Sequence, residues 1–164
     1  MAQKITLGLG FDGHIMRNGS SGSTALTTNP TNGPAVPTGT TPVVSNPFGS
    51  AGLIDDVSLS LLVTSAGPDL DGAWKIEVSN NYNATEEYAQ TPNAGTWHDV
   101  TAAFVTAAGA AIAAVAHGTA ATYAQYVQCG VAAWHSFAGR HLRVTFTPSA
   151  GTGTAEVWAV GKDW

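Results

Sequence analysis

The stretch GAWKIEVSNNYN, residues 72–83, carries the sharpest pattern in the chain. Apolar and polar residues alternate along it, so an extended backbone places the two sets on opposite faces. The apolar set is Trp74, Ile76 and Val78, and the polar set is Lys75, Glu77 and Ser79. The asparagines that follow are typical of a turn. The stretch therefore predicts an antiparallel strand with one face in the core and the other in water.

The same alternation recurs outward from this stretch. Further strands are predicted at residues 3–9, 53–64, 97–101, 119–128, 140–147 and 155–160. The predicted core faces are Val57, Leu59, Leu61 and Val63 in residues 53–64 and Leu142, Val144 and Phe146 in residues 140–147. The segment PSAGTGT, residues 148–154, is predicted to be the turn of a hairpin between the last two strands.

Residues 102–118, AAFVTAAGAAIAAVAHG, fit two interpretations. Their alanines favour a helix, but Gly109 and the β-branched residues weaken that preference. Because strand patterns surround the segment, we favour a strand, a turn and a second strand. About eight strands separated by short turns then predict an all-β fold, a jelly-roll-like β-sandwich.

Residues 18–52 differ from the rest of the chain in composition. They consist almost wholly of Gly, Ser, Thr, Asn, Ala and Pro, and they carry no charge. Such a segment offers little apolar surface to offset its ordering entropy, and loops of this length are usually functional or disordered. We interpret it as an extended arm held against a surface. The predicted organisation is a first strand region at 1–17, the arm at 18–52 and a β-sandwich domain at 53–164.

Charge is scarce along the chain. Charged residues make up 10% of the 164 residues, against about 25% in an average soluble protein. A neutral polar surface is typical of a subunit in an assembly, so we predict a homo-oligomer, either a dimer or a trimer. The few Lys and Arg residues form no cluster that could bind a phosphate backbone, which predicts no nucleic-acid partner. With neither a long apolar run nor a signal peptide, the sequence predicts no membrane segment and synthesis in a cytoplasm.

No motif supports catalysis or a cofactor. GLGFDG, residues 8–13, has the spacing of a dinucleotide fingerprint, but the residues after it cannot begin the helix that holds a pyrophosphate. PDLDG, residues 68–72, lacks the remaining ligands of a calcium loop. The histidines have no metal-binding spacing, and Cys129 is predicted to be a buried small apolar residue. We therefore predict that the protein is not an enzyme and needs no metal or cofactor.

Four of the five tryptophans divide into two groups. Trp74 and Trp134 are predicted to fill the core. Trp158 and Trp164 fit two interpretations: they fill the core of the sandwich, or they are surface aromatic residues of the kind that anchor interfaces or stack on sugars.

Three segments together resemble a known family. They are DGAWKIEVSNNYN at 71–83, GTWHDVT at 95–101 and AGRHLRVTFTPSAGTGTAEVWAVGKDW at 138–164. A strand ending in V-S-N, a G-T-W turn and an R-x-x-R-V strand that leads through S-x-G-T-G-T resemble the jelly-roll virion proteins of tailed bacteriophages, and most of all their capsid decoration, or cement, proteins. The resemblance covers residues 53–164 and does not extend to the arm.

The resemblance implies a structural function on the virion. A cement protein binds the outside of the capsid and stabilises contacts between subunits of the major capsid protein. An alternative is a discoidin-like carbohydrate- or receptor-binding module of a tail fibre, which would use Trp, Tyr and Asn in the loops after Ser79.

Apolar residues along the arm are spaced like anchors on an extended strand. Phe48 is the only aromatic residue among them and is the predicted hot spot. The predicted partner-binding residues are Leu26, Val36, Val43, Val44, Phe48, Trp158 and Trp164.

Overall fold

The structure of the protein is a computed structural model. It describes residues 3–7, 14–16, 35–36, 42–45, 48–49, 56–65, 70–82, 94–116, 122–130, 133, 136–137, 141–151 and 153–163. The predicted partner-binding residues Leu26 and Trp164 and the predicted core residue Trp134 lie outside these ranges.

Within the described residues the chain forms twelve strands. They are β1 (Gln3–Leu7), β2 (His14–Met16), β3 (Ala35–Val36), β4 (Val43–Val44), β5 (Phe48–Gly49), β6 (Asp56–Ser65), β7 (Asp71–Ser79), β8 (His98–Asp99), β9 (Phe104–Thr106), β10 (Thr122–Cys129), β11 (His141–Ala150) and β12 (Gly153–Asp163). A single 3-10 turn at Thr101–Ala103 lies between β8 and β9. The predicted all-β fold is confirmed.

The strands form two antiparallel sheets. In the first sheet the order is β1-β12-β6-β10-β9, and β2 and β3 also pair with β12. In the second sheet the order is β4-β11-β7-β8, and β5 also pairs with β11. The predicted strands at 53–64 and 155–160 therefore lie in the first sheet and those at 72–79 and 140–147 in the second, in the arrangement of a β-sandwich.

The core fills the space between the two sheets. Its fully buried residues include every side chain of the predicted core faces of β6 and β11, joined by Ile76 from β7 and Val127 from β10. Trp74 lies in the core as predicted, with its ring centroid 4.9 Å from that of Phe146. Cys129 is also buried, as predicted. The period-two pattern was therefore sufficient to identify the faces that pack against each other.

The predicted C-terminal hairpin is wrong. β11 belongs to the second sheet and β12 to the first, so the turn between them crosses from one sheet to the other. Gly151 adopts a φ of 75°, in the left-handed region that favours glycine, at the point where the chain crosses. A glycine-rich turn between two alternating strands can close a hairpin within one sheet or connect strands of opposite sheets. Here it connects opposite sheets, and the inner faces of β11 and β12 pack on the same core.

Residues 102–116 form the strand and the turn of the predicted strand, turn and strand, but the segment that returns is not a regular strand. β9 ends at Thr106, and Gly109 donates its backbone N–H to the Thr106 carbonyl at 2.8 Å to close the turn. The returning segment then makes two isolated bridges, Val105 with Ala111 and Gly72 with Val115. Val115 thus joins the edge of the second sheet, and its side chain is buried in the core.

The outer face of the second sheet is drier than predicted. Glu77 is only 5% exposed, Ser79 is fully buried and Thr145 is 7% exposed. Two residues from elsewhere in the sequence explain the difference, since the Arg143 guanidinium bonds to Glu77 and stacks on the Trp97 ring. The expectation that this whole face is wet is therefore wrong near Glu77, although Lys75 remains exposed.

Val144→Asp should unfold the protein or make it aggregate. Val144 has no exposed surface, and an unpaired buried charge costs about 3 to 5 kcal/mol, a large part of the stability of a small domain. Thr147→Asp, on the exposed outer face of the same strand, is the matched control and should change the melting temperature little. Equal thermal shifts for the two variants would show that the register is wrong.

Candidate functional site

The N-terminal third of the chain completes one side of the sandwich. β1, β2 and β3 pair with β12 at the edge of the first sheet, and β4 and β5 pair with β11 at the edge of the second. Since only two residues connect β11 to β12, these edges lie beside each other. The short connection from β8 to β9 likewise brings the opposite two edges together. We call the side formed by β1 to β5 with β11 and β12 the arm side.

Ser45 fixes the arm to the second sheet. It donates its backbone N–H to the Val144 carbonyl at 2.8 Å, and its hydroxyl accepts the Val144 N–H at 2.9 Å. The serine is buried, so both hydrogen bonds are shielded from water. Its neighbour Val44, which pairs with Thr145, is 38% exposed. The arm thus presents an apolar side chain from a backbone that is held in place.

The predicted partner-binding residues within the described ranges divide between the two edges. Val43, Val44 and Phe48 lie in strands paired with β11, whereas Val36 pairs with Gly153 of β12 and Trp158 lies within β12 itself. Each of these residues therefore pairs with strands of its own chain. Their contact with another protein stays a prediction.

A cluster of aromatic and charged side chains covers part of the outer face of the second sheet. We call it the aromatic cluster; it consists of Glu77, Tyr82, Trp97, His141 and Arg143. The Tyr82 ring lies 5.4 Å from Trp97 and 5.2 Å from His141, measured between centroids. The Arg143 guanidinium lies 4.2 Å from the centre of the Trp97 ring, and its Nε donates to Glu77 Oε2 at 2.8 Å. Sequence reasoning missed this cluster because its members come from three separate stretches.

Hydrogen bonds close the base of the loop that joins β7 to β8. The Asn81 side-chain oxygen accepts the Thr96 backbone N–H at 2.6 Å and the Ser79 hydroxyl at 3.1 Å. Gly95 has a φ of 79°, and a Cβ there would lie 2.8 Å from the Ser79 hydroxyl oxygen, so only glycine fits. The Trp97 indole N–H donates to the Ala94 carbonyl at 2.9 Å. Asn81 and Trp97, two of the residues proposed for ligand contact after Ser79, are therefore engaged within the protein.

The charges of the aromatic cluster compensate one another. Burial raises the pKa of the Glu77 carboxyl, but hydrogen bonds from Arg143 and Lys75 outweigh it, so the pKa lies below its ordinary value. Hydrogen bonds from the Thr101 hydroxyl and backbone N–H hold the pKa of Asp99 below its ordinary value. Burial lowers the pKa of His141, whose Nδ1 is buried and has no hydrogen-bond partner. The aromatic cluster is therefore built to hold one ionised carboxylate, that of Glu77, and the neutral imidazole of His141.

The outer face of the first sheet has a different chemistry. Tyr126 of β10 and Trp158 of β12 both pair with Ser60 of β6, so the three side chains lie at one level on adjacent strands. Tyr126 is 54% exposed, and Trp158 is half-buried. The Trp158 indole N–H donates to Glu156 Oε1 at 2.6 Å. Tyr126 was not predicted as a site residue, because apolar residues occupy both faces of residues 119–128.

In the described part of the chain, no three His, Cys, Asp or Glu side chains lie close enough together to hold a metal ion. Among the same residues, no helix has the length and apolar character needed to cross a membrane.

The comparisons with known proteins returned no relative. No family model matches the sequence, and neither the curated proteins nor the solved structures include a significant match. Functional inference therefore depends on the surfaces described above.

The free energy of unfolding should decrease as the pH is lowered from about 7 to about 5. The folded protein keeps the pKa of His141 below its ordinary value of 6.5, so the unfolded chain binds a proton that the folded protein resists. This stabilisation is complete above pH 6.5 and is lost as the pH falls through the pKa of the folded state. A second decrease should follow at lower pH, where Glu77 and Asp99 become protonated. Urea unfolding at several pH values measures both decreases in the free energy of unfolding.

The His141→Gln variant tests whether His141 causes the first decrease in the free energy of unfolding. The variant should flatten the dependence of the unfolding free energy on pH between about 7 and 5, whatever its absolute stability. His98→Gln is the matched control, since His98 is exposed on β8. A slope equal to that of the wild-type protein in His141→Gln would contradict the assignment.

Proposed function

We propose that this chain is a non-enzymatic structural protein of a tailed-bacteriophage virion, which binds the outside of the capsid and stabilises contacts between capsid subunits. The observation that carries the proposal is the arm side, where the uncharged segment 18–52 adds β3 to the edge of the first sheet and β4 and β5 to the edge of the second, and presents Val44 to solvent. Binding between subunits requires such a surface rather than a reactive group.

The energetics of the arm side favour docking against protein. Residues 18–52 carry no charge, so covering them requires no desolvation of ions. Ser45 holds the backbone beside Val44 through two hydrogen bonds to Val144. A partner that covers Val44 therefore has less ordering entropy to overcome than it would with a free chain. An exposed apolar side chain on a fixed backbone is a suitable interface anchor.

The strand connections support the jelly-roll part of the proposal. The consecutive strands β6 and β7 lie in opposite sheets, and their respective partners β12 and β11 are also consecutive and in opposite sheets. The β6–β12 pair of the first sheet thus continues into the β7–β11 pair of the second. An antiparallel ribbon that wraps into a jelly roll passes between sheets in the same way.

The alternative function at the loops after Ser79 has less support. A carbohydrate- or receptor-binding module would need accessible aromatic and amide groups there. Instead Asn81 bonds to Ser79 and Thr96, and Arg143 covers one face of Trp97. These contacts indicate that Asn81 and Trp97 stabilise the base of the loop between β7 and β8.

Val44→Asp should weaken binding to capsids of the phage that encodes the chain by about tenfold or more, because it places a charge at the centre of the proposed interface. Thr122→Asp, on an exposed position of β10 at a distance from the arm side, is the matched control and should bind like the wild-type protein. Cosedimentation with purified capsids measures the affinity, and circular dichroism checks that both variants fold. Unchanged capsid binding by Val44→Asp, or no binding by the wild-type protein, would refute the proposal.

A further inference from the structure

A row of side chains crosses the outer face of the first sheet. Tyr126 and Trp158 each pair directly with Ser60, one from either neighbouring strand. Adjacent residues Leu59, Val127 and Val157 are buried in the core, so the alternation of strand side chains turns the row outward. With neighbouring strands about 4.8 Å apart, the two aromatic residues are separated by roughly 10 Å. We call Trp158, Ser60 and Tyr126 the aromatic row.

The side chains around the aromatic row are neutral and rich in hydroxyl groups. The outward residues nearest the row, within residues 58–64 of β6, 122–128 of β10 and 154–158 of β12, are Ser58, Ser60, Leu62, Thr64, Thr122, Ala124, Tyr126, Gln128, Thr154, Glu156 and Trp158. Glu156 is the only residue of this set that carries a charge at neutral pH, and its carboxylate accepts the Trp158 indole N–H. That hydrogen bond also restricts rotation of the Trp158 ring. The face therefore combines two aromatic rings with neutral hydrogen-bonding groups.

We propose that the aromatic row binds a neutral oligosaccharide. A pyranose ring has an apolar C–H face that stacks on an aromatic ring and a rim of hydroxyl groups that bond to neutral polar side chains. The distance between Tyr126 and Trp158 is one that two or three linked sugar rings cover. Ser60 lies between the two rings, and Gln128 lies two residues from Tyr126 on the same face. These groups are placed to bond to the sugar hydroxyls.

Other classes of ligand fit this face less well. Around the aromatic row, within residues 58–64, 122–128 and 154–158, the outward side chains include no Lys or Arg, so they offer nothing to a phosphate backbone or a sulfated polymer. The row itself spans only three strands. Its surface is therefore much smaller than the roughly 800 Å² that each partner buries in a stable protein interface. A linear sugar chain matches both the charge and the width. The inference is independent of capsid binding, which is assigned to the arm side.

Titration with cellohexaose, a neutral linear oligosaccharide, tests the proposal. The wild-type protein should show saturable binding by calorimetry, together with a change in tryptophan fluorescence. Tyr126→Ala should weaken that binding by about tenfold or more, through loss of one stacking surface. Tyr126→Phe should bind as the wild-type protein does, because the ring remains. Tyr126 is exposed, so neither substitution should affect folding.

Val44→Asp is the matched control, since it lies in the other sheet and should bind sugar like the wild-type protein. Maltohexaose and chitohexaose extend the test to other linkages and to N-acetylated rings. The proposal is overturned if none of the three sugars binds at millimolar concentration. It is also overturned if Tyr126→Ala binds as tightly as the wild-type protein, which would place any sugar site elsewhere.

Discussion

The pairing of β6 with β12 and of β7 with β11 is the constraint on which the rest of the structure depends. Each pair belongs to one sheet, while the chain connections β6 to β7 and β11 to β12 cross between the sheets. Fixing either pair therefore brings the inner faces of both sheets together. The apolar residues of those faces are fully buried in one cluster, and the hydrophobic effect that buries them also sets the register of every strand added outside. β1 to β5 add to this frame at β11 and β12, whereas β8 and β10 add to it at β7 and β6.

The second sheet shows how an ionised carboxylate can remain on a dry surface. Glu77 is nearly buried, which alone would disfavour its charge. Lys75 and Arg143 donate hydrogen bonds to its two oxygens, at 2.8 Å each, and this compensation outweighs the burial. Because Arg143 also stacks on Trp97, the same guanidinium links the sheet to the end of the loop that precedes β8. The Thr145 hydroxyl lies 3.5 Å from Glu77 Oε2. An aspartate at position 145 would therefore place a second carboxylate beside that of Glu77, and the two would repel each other.

Sequence predicted the inner faces and failed at features that depend on distant partners. Val57 to Val63 and Leu142 to Phe146 alternate strongly enough to identify both their strands and their buried sides. The position of β12 in the opposite sheet from β11 was not predictable from PSAGTGT, because a local turn does not specify which strand pairs with which. Burial of Glu77 depends on Trp97 and Arg143, whose proximity arises only from the fold. Tyr126 was missed because both faces of its strand carry apolar residues, which leaves the outward face undetermined.

The two candidate surfaces lie in different directions, and this separation affects how they could operate together. Val44 pairs with Thr145, so its side chain stands on the outer face of the second sheet, whereas Tyr126 stands on the outer face of the first. The Val44 anchor of the arm side and the aromatic row therefore point in roughly opposite directions. Although β12 belongs to both surfaces, it contributes its edge to one and its outer face to the other. A protein attached through the arm side would keep the aromatic row accessible, so attachment and sugar binding need not compete for the same residues.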